Sequence, residues 1–208
     1  MILDKYAFAD TDFNAHKKNQ SFQKTYDFLI EKWSENPRFQ SYMVKLDQND
    51  LEMIRTIAQQ RFDNNRKLGR SGGNIEREIL GTAGEYSTLK FLKECGLNIQ
   101  FDRFWDSVNV KLHHRDDCDA ELIYNDRNYR LEVKTTPKPL NAKLLVPEHQ
   151  YNSRKHSEIY ILTCRLSDNV YCIKGFAAYN EFRFDDTLQM PGYSIPEKAL
   201  HENIFDVL

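Results

Sequence analysis

No run of apolar residues in this chain approaches the roughly 18 needed to cross a bilayer. Its first residues, MILDKYAFADTDF, are acidic where a secretory signal would be basic and then apolar. The expectation is a cytoplasmic protein. Cysteine is scarce as well: Cys95, Cys118, Cys164 and Cys172, with no CxxC among them. Zinc ligands come as tight pairs joined by a turn, so no structural zinc is expected. Reduced and mostly buried thiols are, with Cys164 and Cys172 on neighbouring strands. A Gly-rich phosphate loop, an HExxH and a GxSxG are all absent, as are internal repeats and low-complexity segments.

What is present describes an ordinary soluble globular chain. It has 208 residues, 40% apolar and 29% charged, enough for one domain with an extension. The net charge of −2 neither favours nor excludes a nucleic-acid partner, because distribution matters more than total. Two stretches are locally basic. One is Arg61–Arg70, RFDNNRKLGR; the other runs from Arg127 to Lys155, where seven Lys or Arg face two Glu and no Asp.

The spacing of Phe22, Tyr26, Leu29, Ile30 and Trp33 predicts a helix that Asn36-Pro37 ends. A second helix is expected over 48–68, capped by Asn49 or Asp50, with Leu51, Ile54, Ile57, Ala58 and Phe62 inward. GRSGG at 69–73 reads as a joint between an N-terminal helical arm, residues 1–70, and a core, residues 71–208. A third helix is expected over Thr82–Glu94, with Gly96 as its C-terminal cap. CDAELIY and YRLEVKTT then read as a hairpin about NDRN, and residues 146–156 as a short helix begun by Pro147. EIYILTCRL and VYCIKGFAAY form a second hairpin about SDN, and the tail is loop with a short terminal helix. The fold class is therefore α/β or α+β: a central mixed sheet flanked by helices, with an N-terminal helical extension.

RLEVKTT, residues 130–136, carries Glu132 and Lys134 on one side of a strand, because alternate side chains share a face. With Asp126 and Arg127 as a two-residue turn, Glu121 opposes Glu132 and Asp119 opposes Lys134. One face then gathers Asp119, Glu121, Arg130, Glu132 and Lys134, with Ile123. The other holds Ala120, Leu122, Tyr124, Tyr129, Leu131 and Val133, an apolar core side. Facing side chains on paired strands stand about 5 Å apart, and grouped carboxylates repel unless a cation joins them. Mg²⁺ takes one or two carboxylates and leaves room for water and a phosphate oxygen. A lysine beside it can position or deprotonate an attacking water. Asp119, Glu132 and Lys134 thus supply what metal-assisted phosphodiester hydrolysis needs. The plain alternative is the wet face of an antiparallel hairpin.

Asp119, twelve intervening residues and then Glu132-Val133-Lys134 resembles the signature of the PD-(D/E)XK, or restriction-endonuclease-like, nuclease superfamily. The order of elements is similar from about Gly81 to Ala178, roughly half the chain. GTAGEYSTLKFLKECGL resembles that family's first core helix, where a glutamate often assists metal binding, and Glu85 holds that place. VYCIKGFAAYNEF is more loosely similar to a strand and return seen in phage and restriction-system members. The resemblance implies a restriction-endonuclease-like core and a Mg²⁺-dependent deoxyribonuclease, an endonuclease by preference, with Mn²⁺ as a substitute. Asp119, Glu132 and Glu85 would be the metal ligands, Lys134 the group beside the water, DNA the partner and a homodimer an admissible assembly. Cys118 stands where the family has proline, and Asp116 and Asp117 are rivals to Asp119. A non-catalytic nucleic-acid-binding or assembly module on the same fold is the alternative.

Other candidates carry two readings each. Thr82-x-x-Glu85 is also a capping box, while Leu89 and Leu92 on the same side turn Glu85 inward. Gln150 and Lys155, with Arg130 and Lys138, are candidates for contact with nucleic acid or for a solvated surface. Arg61, Arg66, Lys67 and Arg70 suit a phosphate backbone or a charged outer helix face. His113-His114, His149 and His156 are weak metal candidates, because isolated or adjacent histidines do not converge on one ion. Trp33 and Trp105 read as core or rim.

Overall fold

The computed structural model describes residues 42–67, 74–100, 104, 118–137, 142–153, 156–187 and 191–208. The helix expected near Trp33, the joint at 69–73, and Arg70, Trp105, His113, His114, Asp116, Asp117, Lys138 and Lys155 lie outside the described residues. Val44–Leu208 forms one compact unit, and the helix following residue 47 belongs to it. Among the described residues no helix is long and apolar enough to cross a membrane.

Strand β1 (Met43–Lys45) leads into helix α1 (Gln48–Lys67). The cap is Asp47, not Asn49 or Asp50. Asp47 Oδ1 accepts the Asp50 N–H at 2.8 Å, and Asp50 Oδ2 accepts the Asp47 N–H at 3.1 Å. This reciprocal pair satisfies two amide donors at the helix start. Asp50, Ile54, Ile57, Ala58 and Arg61 make the buried stripe of α1. Helix α2 (Ile75–Glu94) starts seven residues before the expected Thr82, because Asn74 Oδ1 accepts the Arg77 N–H at 2.8 Å. Its end is as expected. Gly96 lies at φ +81°, its N–H donates to Lys93 O, and the Leu97 N–H donates to Leu92 O, the paired bonds of a Schellman stop.

Strands β2 (Asn98–Gln100), β3 (Ala120–Tyr124), β4 (Arg127–Thr136), β6 (Ile159–Arg165) and β7 (Val170–Ala178) join β1 in a six-stranded sheet ordered β1-β7-β6-β4-β3-β2. It is mixed: β4 and β6 run parallel, while β2–β3, β3–β4 and β6–β7 are antiparallel. The crossover from β4 to β6 contains strand β5 (Lys143–Pro147) and the single-turn helix α3 (Glu148–Tyr151). The helix expected over 146–156 therefore shrinks to one turn after Pro147. Strand β8 (Arg183–Asp185) and strand β9 (Gly192–Pro196), the latter expected as loop, pair with β5 in a second sheet of order β5-β9-β8. The chain is thus α+β, with a mixed central sheet.

Each face of the main sheet is covered differently. Leu131, Val133 and Thr135 of β4 lie beside Ile159, Ile161 and Thr163 of β6, on the face that α2 covers. Thr88 of α2 reaches Thr163 there, hydroxyl to hydroxyl, at 2.6 Å. The opposite face carries Glu132 and Lys134 beside Tyr160 and Leu162. The small sheet packs Leu144, Val146 and Ile195 onto Tyr160, Leu162, Ala177 and Phe182. Burying these apolar side chains is what holds the second sheet to the first. None of the four cysteines is joined in a disulfide. Cys164 and Cys172 are buried opposite each other on β6 and β7, Cys118 is half-buried and Cys95 is exposed.

Candidate active site

The site is built on the β3–β4 hairpin, in a register that differs from the sequence reading. Tyr124 pairs with Arg127 and Glu121 with Arg130, so the turn is Asn125-Asp126, with φ of 49° and 58°. Both central residues are left-handed, as a type I′ turn demands, and Asn and Asp bear that conformation better than Arg does. Every pairing moves by two residues. An even shift keeps each side chain on its expected face. Ala120, Leu122, Tyr129, Leu131 and Val133 are accordingly buried, and Glu132 and Lys134 remain together on the other side.

Lys134 Nζ donates to Glu132 Oε1 at 2.7 Å and to Gln150 Oε1 at 3.0 Å. Gln150 Nε2 donates to the same Glu132 oxygen at 2.8 Å. Three side chains thus close a ring of charge-assisted bonds between β4 and α3. Glu132 is 13% exposed and Lys134 27%, so the ring lies at the surface's edge, reachable by solvent. The helical turn that carries Gln150 is held in turn by aromatic stacking of its neighbour Tyr151. Tyr151 lies between Tyr193, with centroids 3.7 Å apart, and Tyr179, at 4.3 Å. Tyr151 Oη donates to Tyr179 O and Tyr179 Oη to Tyr151 O, tying α3 down reciprocally.

Asp119 does not oppose Lys134. It stands where the β3–β4 ladder ends: its N–H donates to Leu131 O at 2.9 Å, and its Oδ2 accepts the Val133 N–H at 2.7 Å. The carboxylate replaces the carbonyl that a longer β3 would have offered to Val133. Burial pushes the Asp119 carboxyl well above the usual aspartate range, and the nearby charges of Glu132 and Glu85 push it further.

Glu85 is buried and faces inward, so the capping-box reading is not what the fold uses; Thr82 lies inside α2, not at its start. Its partner is Arg61 of α1. Nη1 donates to Oε2 at 2.7 Å and Nη2 to Oε1 at 3.1 Å. Burial raises the Glu85 carboxyl above its ordinary value; Arg61 pulls against that rise, and Glu132 adds to it. Arg61 is therefore neither on an outer face nor at a phosphate-facing surface: it is buried. The signal was its spacing, since Ile54, Ile57, Ala58 and Arg61 form one continuous helical stripe.

Arg130 is half-buried, paired with Glu121 across the hairpin, and its N–H donates to Glu158 Oε2 at 3.3 Å. His149 is exposed, and His156 stacks on Tyr179 at 3.7 Å. Arg66 lies 5.8 Å from the Phe62 ring, and Lys67 is exposed. Gly84, unremarked in the sequence, is where α2 touches β4 most closely.

Among the described residues no three His, Cys, Asp or Glu side chains form a ready cage for a metal ion. Asp119 Oδ1 and Glu132 Oε2 carry no hydrogen bond within the described residues, and carboxylate oxygen is the kind of ligand Mg²⁺ prefers. No family model matches the chain, and no curated protein matches it in sequence.

Proposed function

We propose that the chain is a Mg²⁺-dependent nuclease of PD-(D/E)XK type that hydrolyses DNA phosphodiester bonds, built on a restriction-endonuclease-like core. The observation that carries this reading is the Lys134–Glu132–Gln150 ring beside Asp119, at the point where β3 and β4 part. Asp119 and Glu132 would hold the cation, which supplies Lewis-acid charge neutralisation at the phosphate. Lys134 Nζ has one donor beyond its two bonds in the ring and would hold the water that attacks phosphorus. Gln150 fixes the Lys134 ammonium so that it does not swing freely. DNA as the nucleic acid rests on the resemblance of motif and element order.

A second reading has its own support. Lys134, Glu132 and Gln150 bond one another and Arg61 bonds Glu85, as a binding or assembly module retaining a polar face would have it. Supercoiled plasmid with Mg²⁺ or Mn²⁺, with and without EDTA, separates the two. Metal-dependent nicking that Lys134→Ala and Asp119→Ala each reduce by about 10²-fold or more supports the enzyme. DNA retention without cleavage, indifferent to both changes, leaves the module. Neither binding nor cleavage over several substrates removes nucleic acid as the partner.

A further inference from the structure

The Arg61–Glu85 pair adjoins the carboxylates assigned above but takes no part in that assignment. Both Glu85 oxygens are occupied by one guanidinium, at 2.7 and 3.1 Å, with the two side chains 11% and 10% exposed. Asp119 and Glu132, by contrast, each keep an oxygen without a hydrogen bond among the described residues. Arg61 is fastened on its other side too. It approaches Thr82 Oγ1 and Phe104 O, each at 3.4 Å, and its Cζ lies 5.1 Å from the Phe104 ring centroid.

We infer that Arg61 is a positioning residue that limits the site to one divalent cation, by holding Glu85 outside the coordination shell and leaving Asp119 and Glu132 as its acidic ligands. The inference rests on the metal-site reading above. Two cations held side by side need bridging and flanking carboxylates beyond two. A single Mg²⁺ or Mn²⁺ is content with one or two and fills its remaining positions with water or phosphate oxygen. Releasing Glu85 would mean breaking a buried bidentate pair and leaving a permanent cation unpaired, since arginine does not surrender its proton. Arg61 also places a fixed positive charge beside the site, which opposes entry of a second divalent ion.

The test is Mn²⁺ titration of the full chain by calorimetry, with thermal melts alongside. Wild type takes one Mn²⁺ per chain. Arg61→Met frees Glu85, so it takes a second Mn²⁺ or binds the first about tenfold more tightly, and its melting temperature rises with Mn²⁺ more than that of wild type. The double change Arg61→Met with Glu85→Met removes the pair as a neutral unit, an exchange that buried ion pairs commonly tolerate. It keeps one site with a dissociation constant within about threefold of wild type. An Arg61→Met protein that folds yet takes one Mn²⁺ no more tightly than wild type overturns the inference; if it does not fold, an affinity loss of about tenfold or more in the double variant still does. Two Mn²⁺ on wild type, or an affinity loss of about tenfold or more in the double variant, overturns the inference and leaves the metal site standing. No Mn²⁺ on wild type at millimolar concentration removes the metal site itself, and the inference with it.

Discussion

Gly84 lies against Thr135 with no space between them for a side chain. A methyl group on Gly84 would stand 2.5 Å from Thr135 Cγ2 and 2.7 Å from its Cβ, and would collide with Oγ1. This contact seats α2 on β4 one residue before Glu85 and one residue after Lys134. It sets the depth at which the helix carboxylate enters beside the strand pair.

Gly84→Ala tests that seating. Alanine is worth about 0.5–1 kcal/mol over glycine in a helix, but overpacking a close contact costs about 1–3 kcal/mol. The net expectation is a protein less stable to urea than wild type, with Thr135→Ala restoring part of the loss in the double variant. A Gly84→Ala protein as stable as wild type would show that the contact yields without strain.

The hairpin turn offers the opposite test. Asn125 and Asp126 both occupy the left-handed region, which glycine enters without steric cost. Asp126→Gly should therefore stabilise, by about 0.4–1 kcal/mol, less whatever flexibility glycine adds to the unfolded chain. Urea midpoints of the two proteins measure it, and a clear loss of stability would count against the type I′ turn.

Asp50 should govern part of the acid limb of stability. Burial alone would raise its carboxyl. The bonds from Lys90 Nζ and Tyr86 Oη, each at 2.8 Å, and from the Asp47 N–H outweigh it and hold the group below its ordinary 3.8. A depressed folded value contributes stability that is present above the unfolded value and is lost as pH falls through the folded one. Asp50→Asn should thus lose about 1–3 kcal/mol at neutral pH. The gap to wild type should narrow as pH drops below 3.8. Urea melts at pH 7 and pH 3 measure both ends, and a gap that stays constant refutes the linkage.

Gln150→Leu separates positioning from packing. The substitution keeps much of the volume while removing both bonds of Gln150 to Glu132 and Lys134. The melting temperature should move little, while the rate of plasmid nicking falls about 10–100-fold, the usual cost of a lost supporting bond at such a site. A rate unchanged from wild type would mean Lys134 needs no such anchor.

Much of the site was legible because its logic is local. Alternation along RLEVKTT places Glu132 and Lys134 together whatever their partners, and an apolar underside fixes which face is core. Gly96 was readable as a helix stop, since the following chain needs a positive φ there. The turn itself was misread by one step, although Asn-Asp is the dipeptide in NDRN best suited to two left-handed residues. The start of α2 was misplaced because Asn74, a strong cap, stands ahead of a first turn in which only Ile75 is apolar.

The sequence by itself therefore determined the period of each segment, the faces of the hairpin and the identity of the ExK side chains, all of which depend on neighbours a few residues apart. Tertiary structure decided the rest. The second sheet joins β5 to β8 and β9, more than 30 residues further along the chain, a pairing that depends on the apolar surface they bury together and not on local propensity. Arg61 looks like a surface charge until α2 brings Glu85 against it, for burying a guanidinium is tolerable only when a carboxylate from elsewhere in the chain is already in place.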